Sequence, residues 1–153
     1  MKLSCILITA IFCISLCAIA EADVTQRTAT IVELEGEAQV ITPENEKVPA
    51  EVGMSLTQGY AIKTGAESLV VVFLQGVSET ANVEIKEKSE LRLAELLEDK
   101  DIETQTTLLD LAIGEILITS KKLQAEKSKF EVKTPTSIVG VRGTTFSVSV
   151  EAE

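Results

Sequence analysis

The chain has 153 residues, a formal net charge of -10 and a charged fraction of 25%, a size and balance typical of one folded globular domain. An acidic surface of this kind repels a phosphate backbone, so the composition excludes nucleic acid as a partner. Histidine and tryptophan are absent, and aromatic residues make up 3%, which removes the common proton shuttle and the common stacking platforms.

Residues 1–22 have the features of a secretory signal peptide. Lys2 provides one positive charge, an apolar run follows, and Ala20-Glu21-Ala22 supplies the small residues after which signal peptidase cuts. We therefore predict an exported, periplasmic or otherwise extracytoplasmic protein whose mature chain starts at Asp23. Two alternatives remain open: an uncleaved segment would anchor the chain in the membrane, and Cys17 would be a lipid attachment site.

The three cysteines, Cys5, Cys13 and Cys17, all lie within this leader. Cleavage would leave no thiol for a disulfide or a metal site, and without histidine the ligands of zinc and haem are missing as well. We therefore predict no cofactor and no metal site. The densest acidic cluster, residues 98–103, lacks the glycine that a calcium loop needs, so we predict a solvated loop there.

The mature chain, residues 23–153, contains several runs with the periodicity of strands. Residues 69–74 are apolar at every position, which predicts a strand covered on each side at the centre of the core. Residues 81–86, 128–133 and 145–150 alternate between apolar and polar side chains, which predicts strands with one buried face.

Two neighbouring segments are harder to assign. Residues 89–98 have a helical composition, but the first leucines alternate with charged residues, so we predict a strand that leads into a polar loop. Residues 104–113 alternate in the same way. Gly114 is then predicted to turn the chain, so that residues 116–118 pair or stack closely with the preceding run.

The eight glycines lie near the edges of these runs, where tight turns or a positive φ are needed. We therefore predict a single all-β domain of short strands with glycine corners. A β-roll, a β-helix-like coil and a sandwich all remain compatible with the pattern.

Short motifs follow one another in a fixed order along the mature chain. They are Val32, Leu34, Gly36, Ala38 and Val40; Val52-Gly53-Met54-Ser55-Leu56 and Gly59; Ile62-Lys63-Thr64-Gly65 and Ser68; Val72-Phe73-Leu74-Gln75-Gly76; Ser89-Glu90-Leu91; Leu111 and Gly114-Glu115-Ile116; Phe130-Glu131-Val132-Lys133-Thr134-Pro135; and Val141-Arg142-Gly143-Thr144-Thr145-Phe146-Ser147-Val148. The series resembles the FecR-like domain of extracytoplasmic bacterial proteins over almost the whole mature chain. The family often has an aspartate where this chain has Gln75.

The resemblance implies a place in envelope signalling. The iron-uptake regulators of the family combine a cytoplasmic part that binds a sigma factor, a membrane helix and a periplasmic part that receives the signal. Because this sequence starts with an export signal, we do not expect it to control a sigma factor directly.

We interpret the motif residues as structural. Arg142 is one of three arginines, and its fork would hold either a carboxylate ligand or a carboxylate of the protein itself; we favour the second role. Gly143 would let the backbone turn and Thr144 would bind a local backbone group. The other residues interpreted in this way are Gly36, Gly53, Gly59, Thr64, Gly65, Gly76, Gly114, Thr134, Pro135 and Phe146.

The sequence contains no recognisable catalytic constellation, so we predict that the protein is not an enzyme. The predicted function is that of an exported module that binds or scaffolds an envelope protein or a cell-wall polymer. The alternative is a periplasmic signalling component that modulates a separate membrane anti-sigma regulator. The acidic surface predicts a partner that is basic or is contacted through apolar strand edges, and an open edge would also allow homo-oligomers.

Overall fold

The computed structural model describes residues 24–76, 80–120, 128–141 and 145–151, and there the chain forms only strands, turns and loops. The strands are β1 (Val24–Gln26), β2 (Ala29–Glu35), β3 (Ala38–Ile41), β4 (Lys47–Pro49), β5 (Ser55–Leu56), β6 (Ala61–Thr64), β7 (Leu69–Leu74), β8 (Ala81–Ile85), β9 (Glu90–Asp99), β10 (Thr104–Ser120), β11 (Lys129–Lys133), β12 (Ile138–Gly140) and β13 (Thr145–Val150). The all-β prediction is confirmed. The predicted signal peptide lies outside the described residues, and within them no helix is long and apolar enough to cross a membrane.

The strands form two sheets that share one long strand. The first sheet contains β1, β3, β4, β6, β9, β11, β12 and the first part of β10. The second sheet contains β2, β5, β7, β8, β13 and the last part of β10. Neighbouring strands are antiparallel except for β10 and β11, and the whole curls into half of a barrel.

The shared strand corrects one prediction. β10 runs without a turn from Thr104 to Ser120, so residues 116–118 do not pair back onto residues 104–113. Gly114 has a φ of 97° and lies where β10 leaves β9 and begins to pair with β8. The positive φ therefore bends the strand from one sheet into the other, and the strand does not reverse.

A bulge explains why β9 looked partly helical. The pairing of β9 with β10 shifts between Leu108 and Leu109, which leaves Ala94 as an extra residue. As a result Leu93 and Leu96, three positions apart, both point into the core. That spacing is typical of a helix, although the segment is the predicted strand and is followed by the predicted polar turn.

The core lies between the inner faces of the two sheets. It contains Val40, Ile62, Leu91, Leu93, Leu96, Leu109, Leu111 and Val132 from the first sheet, and Ile31, Val70, Val72, Leu74, Val83, Ile85, Ile116 and Ile118 from the second. The alternating strands β8, β11 and β13 each turn their apolar side chains to this core, as predicted.

β7 departs from the prediction on one face. It lies between β2 and β8, in the middle of the second sheet, and Val70, Val72 and Leu74 are buried in the core. On the opposite face Leu69 and Phe73 are only half-buried. The strand is therefore central in its sheet but is not fully covered on both sides.

Truncation of a core leucine of β10 is expected to destabilise the protein strongly. Leu111 is fully buried, so Leu111→Ala should lower the free energy of unfolding by about 2–5 kcal/mol, through lost burial and a residual cavity. The matched control is Ile102→Ala in the turn between β9 and β10, where the side chain is 58% exposed and the change should stay within about 0.5 kcal/mol. Urea denaturation measures both, and equal effects would contradict this account of the core.

Candidate functional site

Several motif residues lie where the chain passes between the two sheets. Four of these crossings, after β2, after β6, after β8 and within β10, are made by segments that are hydrogen-bonded to one another in series. We call residues 36–37, 64–68, 86–89 and 114–115 the corner. It contains Gly36, Thr64, Gly65 and Gly114.

Ser68 joins the first two segments of the corner. Its Oγ accepts a hydrogen bond from the Glu37 N–H at 2.9 Å and donates one to the Ala66 carbonyl at 2.9 Å. The Gly65 N–H donates to the Glu37 carbonyl at 2.8 Å. Gly36 has a φ of 72°, and a Cβ there would overlap the Ser68 side chain, so this position requires glycine.

Ser89 repeats this arrangement at the fourth segment. Its Oγ accepts from the Glu115 N–H at 3.0 Å and donates to the Glu87 carbonyl at 3.1 Å. A Cβ on Gly114 would overlap the Ser89 side chain and its Cα. At both Ser68 and Ser89, therefore, the serine hydroxyl links its own turn to the residue that follows a glycine with positive φ.

Thr64 connects the two middle segments. Its Oγ1 donates to the Lys86 carbonyl at 2.6 Å and accepts from the Ser89 N–H at 2.9 Å. The Lys88 N–H donates to the Gly65 carbonyl at 2.9 Å. Because Thr64 and Ser89 are buried, these hydroxyls satisfy backbone groups that water does not reach.

Three other motif glycines lie away from the corner. Gly53 has a φ of 90° and Gly59 a φ of 94°, and the Gly59 N–H donates to the Leu93 carbonyl at 2.7 Å. Gly76 lies so close to the Gln105 amide that a Cβ would overlap it. Gly53 and Gly59 therefore allow turns with a positive φ, and Gly76 allows the chain to approach Gln105 closely.

The C-terminal motif residues lie on both sides of a groove. Thr134 is buried and closes the turn between β11 and β12: its N–H donates to the Ser137 carbonyl at 2.8 Å, and its Oγ1 accepts from the Ser137 N–H at 3.1 Å. Pro135 is exposed within this turn. Phe146, on β13, packs against the core. Arg142, Gly143 and Thr144 lie outside the described residues.

The groove between this turn and β13 has a volume of about 720 Å³. Its floor is Ala112 and Ile113 of β10, at the point where β11 has ended and β13 has not begun. Its described lining residues have apolar and hydroxyl side chains, and Glu151 is the one charged residue among them. The groove therefore suits an uncharged or basic extended segment better than an acidic one.

β13 is also an open strand edge. Within the described ranges it pairs with β10 alone, and its six residues carry no charge. The other described edge strands are shorter: β1, β4 and β12 have three residues each and β5 has two. β4 also carries Lys47 and Pro49, which disfavour further strand pairing. β13 is thus the described edge strand best able to accept another strand.

Arg27 is a buried residue that the sequence analysis did not single out. Its Nε donates to the Gln75 carbonyl at 2.9 Å and a terminal nitrogen donates to the Thr107 Oγ1 at 2.7 Å, which ties the end of β7 to β10. Arg142 was predicted to hold a carboxylate of the protein, whereas Arg27 joins two segments through a carbonyl and a hydroxyl. No local pattern marks Arg27, because its partners are 48 and 80 residues away in the sequence.

In the described residues, the fold and the site define an all-β module with a hydrogen-bonded corner, whose longest uncharged edge strand is β13. No three metal-binding side chains come together in the part of the chain that the structure describes. A family model described as FecR protein matches residues 60–153, more than half of the chain, and the chain belongs to that family. The family is one of periplasmic, signalling-related modules.

The family match starts close to β6 and includes β6 to β13. Gly36, Gly53 and Gly59 lie before it, so the match is shorter than the resemblance that we described from the sequence. Gly36 nevertheless makes the same contact in the corner as Gly114 does within the matched range. No curated protein and no solved structure matches the chain.

Three glycine substitutions separate backbone strain from steric overlap. Gly140→Ala is expected to be nearly neutral, because its φ is not positive and a Cβ there has open space. Gly53→Ala adds only the cost of a positive φ, about 1 kcal/mol. Gly114→Ala adds the overlap with Ser89 as well and should cost about 3 kcal/mol or more.

Thermal or urea unfolding of the three variants measures how much each substitution lowers the stability, and we expect the loss to increase from Gly140→Ala to Gly53→Ala to Gly114→Ala. If Gly114→Ala were no more destabilising than Gly53→Ala, the corner would have room that the contacts with Ser89 do not indicate.

Proposed function

We propose that the protein is an exported, non-catalytic binding module of the periplasm, and that it takes an extended segment of an envelope protein as an added strand beside β13. The observation that carries the proposal is the open edge of β13 along the groove. Strand addition of this kind gives affinity through backbone hydrogen bonds and specificity through alternate side chains.

The groove would supply the specificity of such binding. Phe146, Val148 and Val150 form one wall, with side chains at every second position of β13. The turn at residues 134–137 forms the opposite wall. An extended segment lying between them would bury every second side chain against apolar atoms while its backbone pairs with β13.

Charge narrows the choice of partner. The net charge of the protein is -10, Glu151 lines the groove at the end of β13, and Glu115 lies opposite Ser149 on the neighbouring strand β10. An acidic segment would be repelled, whereas a neutral or basic one would be steered towards the edge. A peptide is favoured over a cell-wall polysaccharide because the open edge offers backbone donors and acceptors.

A second candidate function rests on membership of the FecR family. The protein would then be a periplasmic signalling component that modulates a separate membrane anti-sigma regulator. Binding at β13 is compatible with either function, and the two differ in their consequence: a scaffold supports the envelope, whereas a regulator changes transcription.

Site-specific photocrosslinking in the native cells tests the proposed edge. A photoreactive phenylalanine analogue replaces Ser149 on β13, and in a control variant it replaces Glu44 in the exposed turn between β3 and β4. We expect a crosslinked envelope protein from the Ser149 position and none from the Glu44 position. The same adducts from both positions, or none from Ser149, would refute binding at this edge, and an adduct to a second copy would indicate self-association instead.

The two functions are separated by transcript profiling of a deletion strain. A defined set of transcripts that changes in the deletion, and returns with the wild-type gene, favours signalling. Unchanged transcripts with a weakened envelope favour the scaffold.

A further inference from the structure

The outer face of the second sheet carries an apolar strip that the core does not use. Val71 of β7 is only 9% exposed, yet it does not belong to the core cluster, which contains its neighbours Val70 and Val72. Leu69 and Phe73, on the same side of β7, are half-buried and also outside the core. These three residues therefore face away from the core.

Neighbouring strands extend the strip on both sides. Across β8, Glu84 pairs with both Val71 and Leu117, which places the half-buried Leu117 of β10 on the same face. On the other side, the bulge in β2 leaves Val32 47% exposed beside Glu33. The strip thus consists of Val32, Leu69, Val71, Phe73 and Leu117.

Carboxylates surround the strip. Glu33 lies opposite Val71 and Glu35 lies opposite Leu69. Glu84 lies between Val71 and Leu117, and Glu115 is two positions before Leu117 on β10. Among the described residues, the one lysine on this part of the face is Lys86, which is 3.5 Å from the Glu84 carboxylate and is therefore partly neutralised. The rim of the strip is strongly acidic.

An acidic rim around an apolar strip restricts what can cover it. A second copy of the protein would bring the same carboxylates against each other, and an anionic lipid surface would be repelled in the same way. β7 is a central strand, so strand addition is not available at this position, and a sheet face is commonly covered by a helix. The complement is an amphipathic helix with an apolar stripe bordered by lysine or arginine.

We propose that the outer face of the second sheet is a docking surface for a basic amphipathic helix of a partner protein. This surface is separate from the β13 edge and goes beyond the function proposed above. The apolar stripe of the helix would cover the partly exposed Leu69, Phe73 and Leu117, and its basic residues would lie against Glu33, Glu35 and Glu84. Such pairing contributes mainly to specificity and to the rate of association, while the apolar contact provides the affinity.

The test uses a labelled synthetic helix of about 18 residues with a leucine stripe bordered by lysines. Its matched control has glutamate in place of every lysine. Fluorescence anisotropy against the purified protein should give saturable binding of the lysine helix, weaker binding at high salt, and no binding of the glutamate helix.

Variants of the protein assign the binding to this face. Glu33→Lys combined with Glu35→Lys should raise the Kd of the lysine helix about tenfold or more. Glu44→Lys combined with Glu46→Lys makes the same change in net charge in the exposed turn between β3 and β4 and should leave the Kd nearly unchanged.

The apolar part of the contact is tested by Leu117→Thr, which keeps a side chain suited to a strand and should weaken binding, with Val52→Thr as the exposed control. Circular dichroism establishes that each variant is folded. Equal effects of the face and control variants, binding of the glutamate helix, or no binding of the lysine helix would overturn the proposal. Ser149 lies opposite Glu115 at the border of this face, so a crosslink from Ser149 supports the β13 edge only if it persists in the Glu33→Lys, Glu35→Lys variant; that comparison separates the two proposals.

Discussion

The structure depends on a chain of hydrogen bonds from buried hydroxyl groups across the corner. At the corner the chain passes between the two sheets, and the passages after β2, β6 and β8 interrupt the strand ladder. Ser68, Thr64 and Ser89 bind the backbone groups that these interruptions leave without a strand partner. The glycines beside the serines matter because they allow the hydroxyls to approach the neighbouring segment closely.

Much of the fold could be predicted from local sequence patterns. Strict alternation located β8, β11 and β13, because each has one face in the core and one outside. The bulges could not be predicted, since an extra residue in β2 or β9 changes which side chains point inwards without any marker of its own. Gly114 was assigned to a turn because a glycine between two apolar runs predicts a hairpin and a sheet crossing equally well.

The candidate sites were harder to predict from the sequence than the strands. Thr64 and Gly65 read as turn residues, but their partners in the other segments of the corner are about twenty or more residues away, and only the folded chain brings them together. The same holds for Arg27. The apolar run of β7 correctly indicated a central strand. We propose that its apolar residues on the outer face form a surface for a partner. In that proposal, the same six residues supply both a core strand and a binding surface.

β10 has a mechanical consequence for the whole module. Its seventeen residues pair with β9 and β11 in one sheet and with β8 and β13 in the other, so neither sheet can open at this strand without loosening the other. We therefore expect the two sheets to unfold together in one cooperative transition. A pulling force on β13 would therefore act on both sheets through β10.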